Sequence, residues 1–248
     1  MKTNIEQHKN LIDKNKELWE RKPLLRKVYI ELYQTMKKYL SAVPGVMVEL
    51  GSGMGSITEV LPNCVRTDLF PYPWLDSVEN AYNLSFESES VSNLLMVDVF
   101  HHLRYPGNAL KEFLRVLPAG GRVIMMEPGL GVMGRLIYEW FHVEPVGKPQ
   151  EITWEAPINW DSSDMDYYAA QGNATWIFEK RHFMENLKDW RLIEVREIAA
   201  LAYAASGGYS GPQLYPTNAY RLVKYLEKVL QILPKLFATR LLVVLEKK

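Results

Sequence analysis

The chain is poor in thiol, with Cys64 as its one cysteine among 248 residues. A lone cysteine closes no internal disulfide, so the fold must be held by burial and hydrogen bonding. An excess of charge of one sign is also missing. Lys and Arg number 29 and Asp and Glu number 29, which removes the electrostatic reason to expect nucleic acid as a main partner. No apolar run reaches the roughly 18 residues that a bilayer span needs, and the opening "MKTNIEQHKNLIDKNKELWE" has no apolar leader segment. The expectation is a cytoplasmic protein whose membrane contact, if any, is confined to the surface. No pair of metal ligands stands at helical or loop spacing, so no metal centre is expected.

What is present reads as one α/β unit with an insertion. Residues 1–43 form a polar N-terminal helical segment. Its first 40 residues carry ten basic and five acidic side chains, and Leu25, Val28, Tyr29, Leu32 and Met36 recur at helical spacing. Residues 44–128 alternate short apolar strands with helical stretches: "VMVEL", "CVRTDL", "SVSNLLMVDV" and "RVIMM" are the strands, and "PGNALKEFLRVL" is a helix. That alternation predicts a doubly wound, parallel sheet. "PYPWLDSVENAYNL" is too proline-rich to hold a long helix. Residues 129–189 break the pattern with four Trp and three Tyr among acids and prolines between Leu136 and Phe183, and read as a cap. Residues 190–248 return to the sheet through "WRLIEVREIAALAY" and "TRLLVVLEKK", with an amphipathic helix between them.

The stretch "VELGSGMGSITEV" places Gly51, Gly53 and Gly55 between a strand and a helix start, with Ser56 as expected N-cap and Glu59 at the capping-box position. Such a loop brings backbone close to a ligand and aims N–H groups at it. The spacing G-x-G-x-x-G of nucleotide pyrophosphate sites is met at Gly51 and Gly53 and fails at Ser56. Glu49 decides further, because a carboxylate at the strand end repels a pyrophosphate and attracts an ammonium group. Asp68, seventeen residues past Gly51 at the end of the next strand, suits a ribose diol. An adenosine carrying an amino-acid tail meets all three demands, and S-adenosylmethionine is such a molecule.

Residues 44–128 resemble the class I S-adenosylmethionine-dependent methyltransferases that act on small molecules. "VELGSGMG" is similar to that family's E/D-x-G-x-G-x-G motif, "NAYNLSFESESVSNLLMVDVFHHL" to its fourth-strand region, and "LKEFLRVLPAGGRVIMMEP" to its following helix, Gly-Gly turn and fifth strand. The resemblance implies a Rossmann-like, seven-stranded, mostly parallel sheet ending in an antiparallel hairpin. It implies that Glu49 organises the loop, that Gly51, Ser52, Gly53 and Gly55 floor the cofactor, and that Asp68, with Leu69 beside it, holds the ribose. Asn80 and Ala81 match a D-A pair whose acid accepts from the adenine amino group; Asn80 keeps the acceptor and loses the charge. Ser85 stands where the family often has proline, and Ser92 where it often has Asp. Asp98 is expected to meet the cofactor's amino group or to close the strand end.

If a methyl group moves to a hydroxyl, a base must take the proton, and histidine titrates near working pH. His101 and His102 follow the fourth strand, and adjacent side chains should diverge, so one of them at most should face the pocket. His142, in the cap, is the rival; His182 reads as structural. The cap aromatics Tyr138, Trp140, Trp154, Trp160, Tyr167, Tyr168 and Trp176 form either a stacking surface for an acceptor or a small core of their own. The helix over residues 218–233 should pack on its own domain through Leu222, Leu226, Val229, Leu230 and Leu233; docking on a membrane surface is the alternative. The acceptor expected is a small molecule or saccharide, with a lipid-linked glycan precursor as one form. A nicotinamide-dependent oxidoreductase and a non-catalytic binding protein are the competing readings.

Overall fold

The computed structural model describes residues 5–142, 144–163, 168–209 and 211–248, with side chains from residue 12 onward. Tyr167 lies outside the described residues.

Seven strands form one sheet: β1 (Val46–Leu50), β2 (Val65–Asp68), β3 (Ser77–Val78), β4 (Val91–Val97), β5 (Arg122–Pro128), β6 (Trp190–Ile198) and β7 (Arg240–Lys247). Their order is β3-β2-β1-β4-β5-β7-β6. β1 to β5 pair in parallel, and β7 runs antiparallel to both its neighbours. The expected hairpin is therefore an antiparallel pair without a tight turn, since helices occupy the connection from Ile198 to Arg240. The central strands are buried on both faces, and successive residues serve opposite cores. Leu94 and Met96 pack with Phe113 of α3 (Pro106–Val116), whereas Leu95 packs with Leu32 and Met36 of α2 (Pro23–Lys37) on the other face. Each such fully buried side chain contributes roughly 2 kcal/mol of hydrophobic free energy.

Two expectations fail locally. The helix after the glycine loop shrinks to one 3₁₀ turn, Ser56–Glu59, because Pro62 follows too soon to continue it. Gly55, in the left-handed region, takes the N-cap position expected of Ser56, and the Glu59 carboxylate accepts from Arg26 Nε at 2.9 Å instead of closing a capping box. α2 lies over the sheet beside this turn, with Ile57 and Leu61 in the same core.

The second failure concerns the amphipathic helix. α6 (Tyr220–Leu230) buries Tyr220, Val223 and Glu227 and leaves Leu222, Leu226 and Val229 exposed, as is Leu233 just beyond it. Polar anchors choose the face: Glu227 accepts from Ala202 N–H at 2.6 Å, and the Gln231 amide bridges Ala199 N–H and the Glu197 carbonyl. Hydrophobic periodicity identifies a stripe; these hydrogen bonds turn it outward.

The remaining helices are α1 (Ile5–Arg21), α4 (Val132–Phe141), α5 (Leu201–Ser206) and α7 (Pro234–Phe237). Among the described residues no helix is long and apolar enough to cross a membrane.

Candidate active site

The carboxyl ends of β1, β2 and β4 open onto a cavity of about 450 Å³, a size suited to a small ligand. Its floor is the glycine loop. Gly51 has φ +68°, and a Cβ there would lie 2.4 Å from Cγ2 of Val99, so no other residue fits without displacing that wall. The loop is tied to β2: Ser52 N–H donates to the Thr67 carbonyl at 2.8 Å and Gly53 N–H to Asp68 Oδ2 at 2.9 Å. The other Asp68 oxygen accepts from Phe70 N–H at 3.3 Å. These bonds set the carboxylate's orientation at the cavity edge, where it could take a vicinal diol.

Gly51, Gly53, Asp68, Leu69, Asn80, Ala81 and Asp98 line this cavity. Glu49, Ser52 and Gly55 are not among its lining residues. Glu49 is buried near Tyr33 and Ser52, and burial pushes its carboxyl up to about 7. Its Oε2 has no hydrogen-bond partner among the described residues. Asn80 Oδ1 accepts from Tyr82 N–H at 3.0 Å, while its Nδ2 donates to the Ser162 carbonyl at 2.5 Å and ties the cap to this side of the cavity. Ser85, in place of proline, donates through its backbone N–H and hydroxyl to Glu79 at 2.8 and 2.5 Å.

Asp98 is more constrained than expected. It closes β4 with φ +58°, a conformation asparagine and aspartate tolerate better than most side chains. Arg240, at the start of β7 and almost wholly buried, grips it through both guanidinium nitrogens, with Nη2 to Oδ2 at 2.6 Å. Burial opposes the Asp98 charge, but the guanidinium overrides it and holds the carboxyl below its usual range. Tyr203 lies under the same guanidinium at 4.0 Å. The carboxylate is thus already engaged, and any ligand amine at this point shares it.

The neighbouring histidines sit in opposite environments. His101 is 2 % exposed, with Nδ1 2.8 Å from Glu127 Oε2. Glu127 also accepts from the backbone N–H groups of Val99 and Phe100 at 2.9 and 2.8 Å. Burial would depress the His101 imidazole; the Glu127 charge, with Glu144 behind it, carries it up to about 10. His102 faces the cavity with a third of its side chain exposed. Its Nδ1 lies 2.9 Å from the Tyr168 carbonyl, and because a carbonyl can only accept, Nδ1 carries the hydrogen. Partial burial and the His101 charge lower the His102 pKa. The neutral tautomer therefore presents an unprotonated Nε2, 3.8 Å from Glu144 Oε1.

His142 is set apart: it is exposed, its Nδ1 accepts from Glu144 N–H at 3.2 Å, and it is not among the residues lining the cavity. No pair of metal ligands stands out by spacing in the sequence, and the fold nonetheless brings coordinating atoms of His101, His102 and Glu144 within 4.8 Å of one another. Adjacent histidines and a cap glutamate leave no spacing signature in sequence. At this junction the Gln171 amide nitrogen lies 3.2 Å from His101 Nε2 and also donates to Glu144.

Of the cap aromatics, Trp160 and Tyr168 line the cavity. Trp160 meets Tyr82 and Tyr105 edge-on, both at 4.9 Å between centroids. Trp154 stacks on Phe183, Tyr138 donates to the Thr239 carbonyl, and Trp176 donates to the Gly147 carbonyl, so these three build the cap. Ile12 and Asn15 of α1, with Arg104, complete the wall. Sequence reasoning missed them, as it missed Arg240 and Glu144. A single Arg opening the otherwise apolar "LLVVL" was the one available signal. A second groove of about 650 Å³ runs along α3 past Lys111, Arg115 and Lys247; it shares Tyr82 and Trp160 with the cavity but is not lined by Asp68, Asp98, His102 or the glycine loop.

Residues 48–125 match the family model described as a methyltransferase domain. Comparison with curated proteins gives no sequence match. Among solved structures, a chain from the complex between the Haloferax volcanii Trm112 methyltransferase activator and a methyltransferase aligns with TM-score 0.56 and 16% identity, covering 99% of this chain and 97% of that one. An S-adenosylmethionine-dependent methyltransferase from Thermotoga maritima aligns at 0.53 and 17%, over 96% and 99% of the two chains. Geranyl diphosphate C-methyltransferase from Streptomyces coelicolor A3(2), with Mg²⁺, geranyl diphosphate and S-adenosyl-L-homocysteine, aligns at 0.52 and 11%, over 88% and 78%. At these identities the structural likeness speaks for the fold; the matched domain speaks for the family. Residues 48–125 thus carry a methyltransferase domain, set in a Rossmann-like fold shared with S-adenosylmethionine-dependent methyltransferases.

Proposed function

We propose that the protein transfers a methyl group from S-adenosylmethionine to a hydroxyl of a small molecule or saccharide, with His102 as the proton acceptor. One observation carries this reading: of the two adjacent histidines, the one that faces the cavity is the one whose pKa is lowered. When bound, the cofactor supplies an electrophilic methyl on a sulfonium. The residues that would hold it are Gly51 and Gly53 beneath, Asp68 at the ribose, and Leu69, Asn80 and Ala81 beside the adenine. Glu49 supports the loop from behind. Gly51, where a Cβ has no room, and the oriented Asp68 carboxylate fit that ligand.

An in-line transfer depends on alignment, which contributes on the order of 10⁵ to 10⁸ M in effective molarity. Trp160 and Tyr168 give the acceptor an aromatic wall suited to a sugar face. The acceptor hydroxyl gives its proton to His102 Nε2, and the Glu144 carboxylate, 3.8 Å away, stabilises the resulting imidazolium. His101 cannot take this role at neutral pH, because Glu127 and Glu144 already keep it protonated. It acts as a fixed positive charge that keeps His102 neutral between turnovers.

The test is calorimetric titration with S-adenosylmethionine, followed by transfer of labelled methyl to a panel of saccharide and phenolic hydroxyls. Asp68→Ala should weaken cofactor binding by tenfold or more. Full affinity in that variant would remove Asp68 from the site, and stabilisation by NAD(H) without S-adenosylmethionine binding would overturn the reading altogether.

A further inference from the structure

The exterior of α4, α6 and α7 carries a surface that the fold leaves uncovered. Along α6 and through α7 the side chains of Leu222, Leu226, Val229, Ile232, Leu233 and Leu236 are exposed. Leu222, Leu226 and Val229 form one helical stripe on α6, and Ile232 and Leu233 in the turn that follows, with Leu236 on α7, extend the exposed apolar run. α7 packs against α4, where Gly134 lets the helix lie against the Ala238 carbonyl, a Cβ there falling 2.6 Å from it. α4 adds its own exposed stripe, Val132, Leu136 and Trp140, and ends on Phe141. Trp140 and Phe141 are 76% and 84% exposed, unusual for large aromatics in a packed protein.

The charges around this surface are of one kind. Between Tyr220 and Phe237 the exposed charged residues are Arg221, Lys228 and Lys235. The one acid of that stretch, Glu227, is buried and bound to Lys224 and the Ala202 N–H. On α4, Arg135 and Glu139 neutralise each other at 2.6 Å. An apolar helical face flanked by cations, with a tryptophan and a phenylalanine at one end, has the composition of a segment that lies in the interface of an anionic bilayer. A second copy of the chain fits less well. A twofold contact would set Arg221, Lys228 and Lys235 near their own counterparts, and the one exposed acid on these helices, Glu139, is already paired with Arg135.

We propose that the α4–α6–α7 face docks the protein on the surface of an anionic phospholipid membrane, with the leucine stripe and Trp140–Phe141 in the acyl boundary. The docking edge is tied to the chemistry by the chain itself. Phe141 is three residues from Glu144, hence within about 11 Å of it, and Glu144 stands beside His102. This deepens the acceptor assignment and rests on the methyltransferase reading only for that consequence: an acceptor anchored in lipid would reach His102 from the docked side.

The test uses the full chain and needs no turnover. Vesicles of phosphatidylcholine alone, and with about 30 mol% phosphatidylglycerol, are sedimented with the protein at low and high salt. Binding should favour the anionic vesicles by tenfold or more, roughly fivefold per basic side chain lost, and weaken with salt. Trp140→Glu and Leu226→Glu should each abolish it while thermal melting stays unchanged, because both side chains are exposed. Arg221→Glu with Lys228→Glu should remove the preference for anionic lipid. The proposal is overturned if the wild type stays in the supernatant with both vesicle types. It is equally overturned if light scattering shows a dimer that Leu226→Glu dissociates, which would make the face a contact between copies. Vesicle binding without methyl transfer would leave docking intact and sink the acceptor reading; transfer without vesicle binding would do the reverse.

Discussion

The two halves of the cavity are built by different means. The half proposed for the cofactor uses backbone and short-range bonds: Gly51 beneath, Gly53 N–H on Asp68, and Ser52 on Thr67, all within eighteen positions of one another. The half proposed for the acceptor draws side chains from distant segments: His102 after β4 and Trp160 and Tyr168 from the cap line it, and Glu127 of β5 and Glu144 of the cap stand behind through the histidine pair. A half made of backbone tolerates side-chain variation and binds one ligand well. A half made of titratable side chains can be retuned by changing one charge.

Removing His102 should draw the comparison most sharply. His102→Gln is expected to lower turnover by 10² to 10⁴ while S-adenosylmethionine affinity measured by calorimetry stays within a factor of two or three. A parallel loss of cofactor binding would show that the halves are not separable. In the wild type, the pH profile of turnover should rise to a plateau below the usual histidine pKa, because the His102 value is lowered. A chelator should leave that turnover unchanged; restoration by an added divalent cation would replace the proton-acceptor role with a metal one.

Arg240→Ala is next. It leaves Asp98 without its buried partner and should cost about 3–5 kcal/mol in chemical denaturation. Because the Asp98 pKa is lowered in the folded state, the pair stabilises above the ordinary aspartate pKa, and this contribution fades as pH falls through the folded value. Wild type and variant should converge in acid. Convergence at high pH instead would exclude the ion pair as the cause.

Glu49→Gln tests the cofactor half in the opposite direction. A buried carboxyl raised to about 7 binds its proton more tightly folded than unfolded, so its stability contribution is complete below the unfolded pKa and is lost as pH rises through 7. At pH 8 the substitution should therefore stabilise the cofactor-free protein, by an amount of up to roughly 3 kcal/mol, and weaken S-adenosylmethionine binding. A variant that is less stable at pH 8 would mean that Glu49 holds the loop by hydrogen bonds that outweigh its charge.

The same division explains what could be read from the amino-acid sequence. The strands, the glycine loop and Asp68 were legible because each signal is local: glycines at fixed spacing, an apolar run, an acid at the strand's end. Glu144 and Arg240 were not. Arg240 reaches Asp98 across 142 positions, and nothing near either residue announces the other. α1 was read as helix, but its place in the cavity wall, through Ile12 and Asn15, depends on how it crosses the loop. The orientation of α6 was misread for a related reason. Periodicity marks the apolar side, whereas Glu227 and Gln231, polar residues on the other side, find backbone partners in residues 197–202 and decide which side is covered.

β7 enters the sheet between β5 and β6, although it follows both in the chain. During synthesis every other strand has left the ribosome before residues 240–247 do, and until they arrive β5 offers an unpaired edge. The same eight residues deliver the guanidinium that neutralises Asp98. Completion of the sheet and completion of the site's charge balance are thus a single, late event, and a nascent chain lacking this segment has neither.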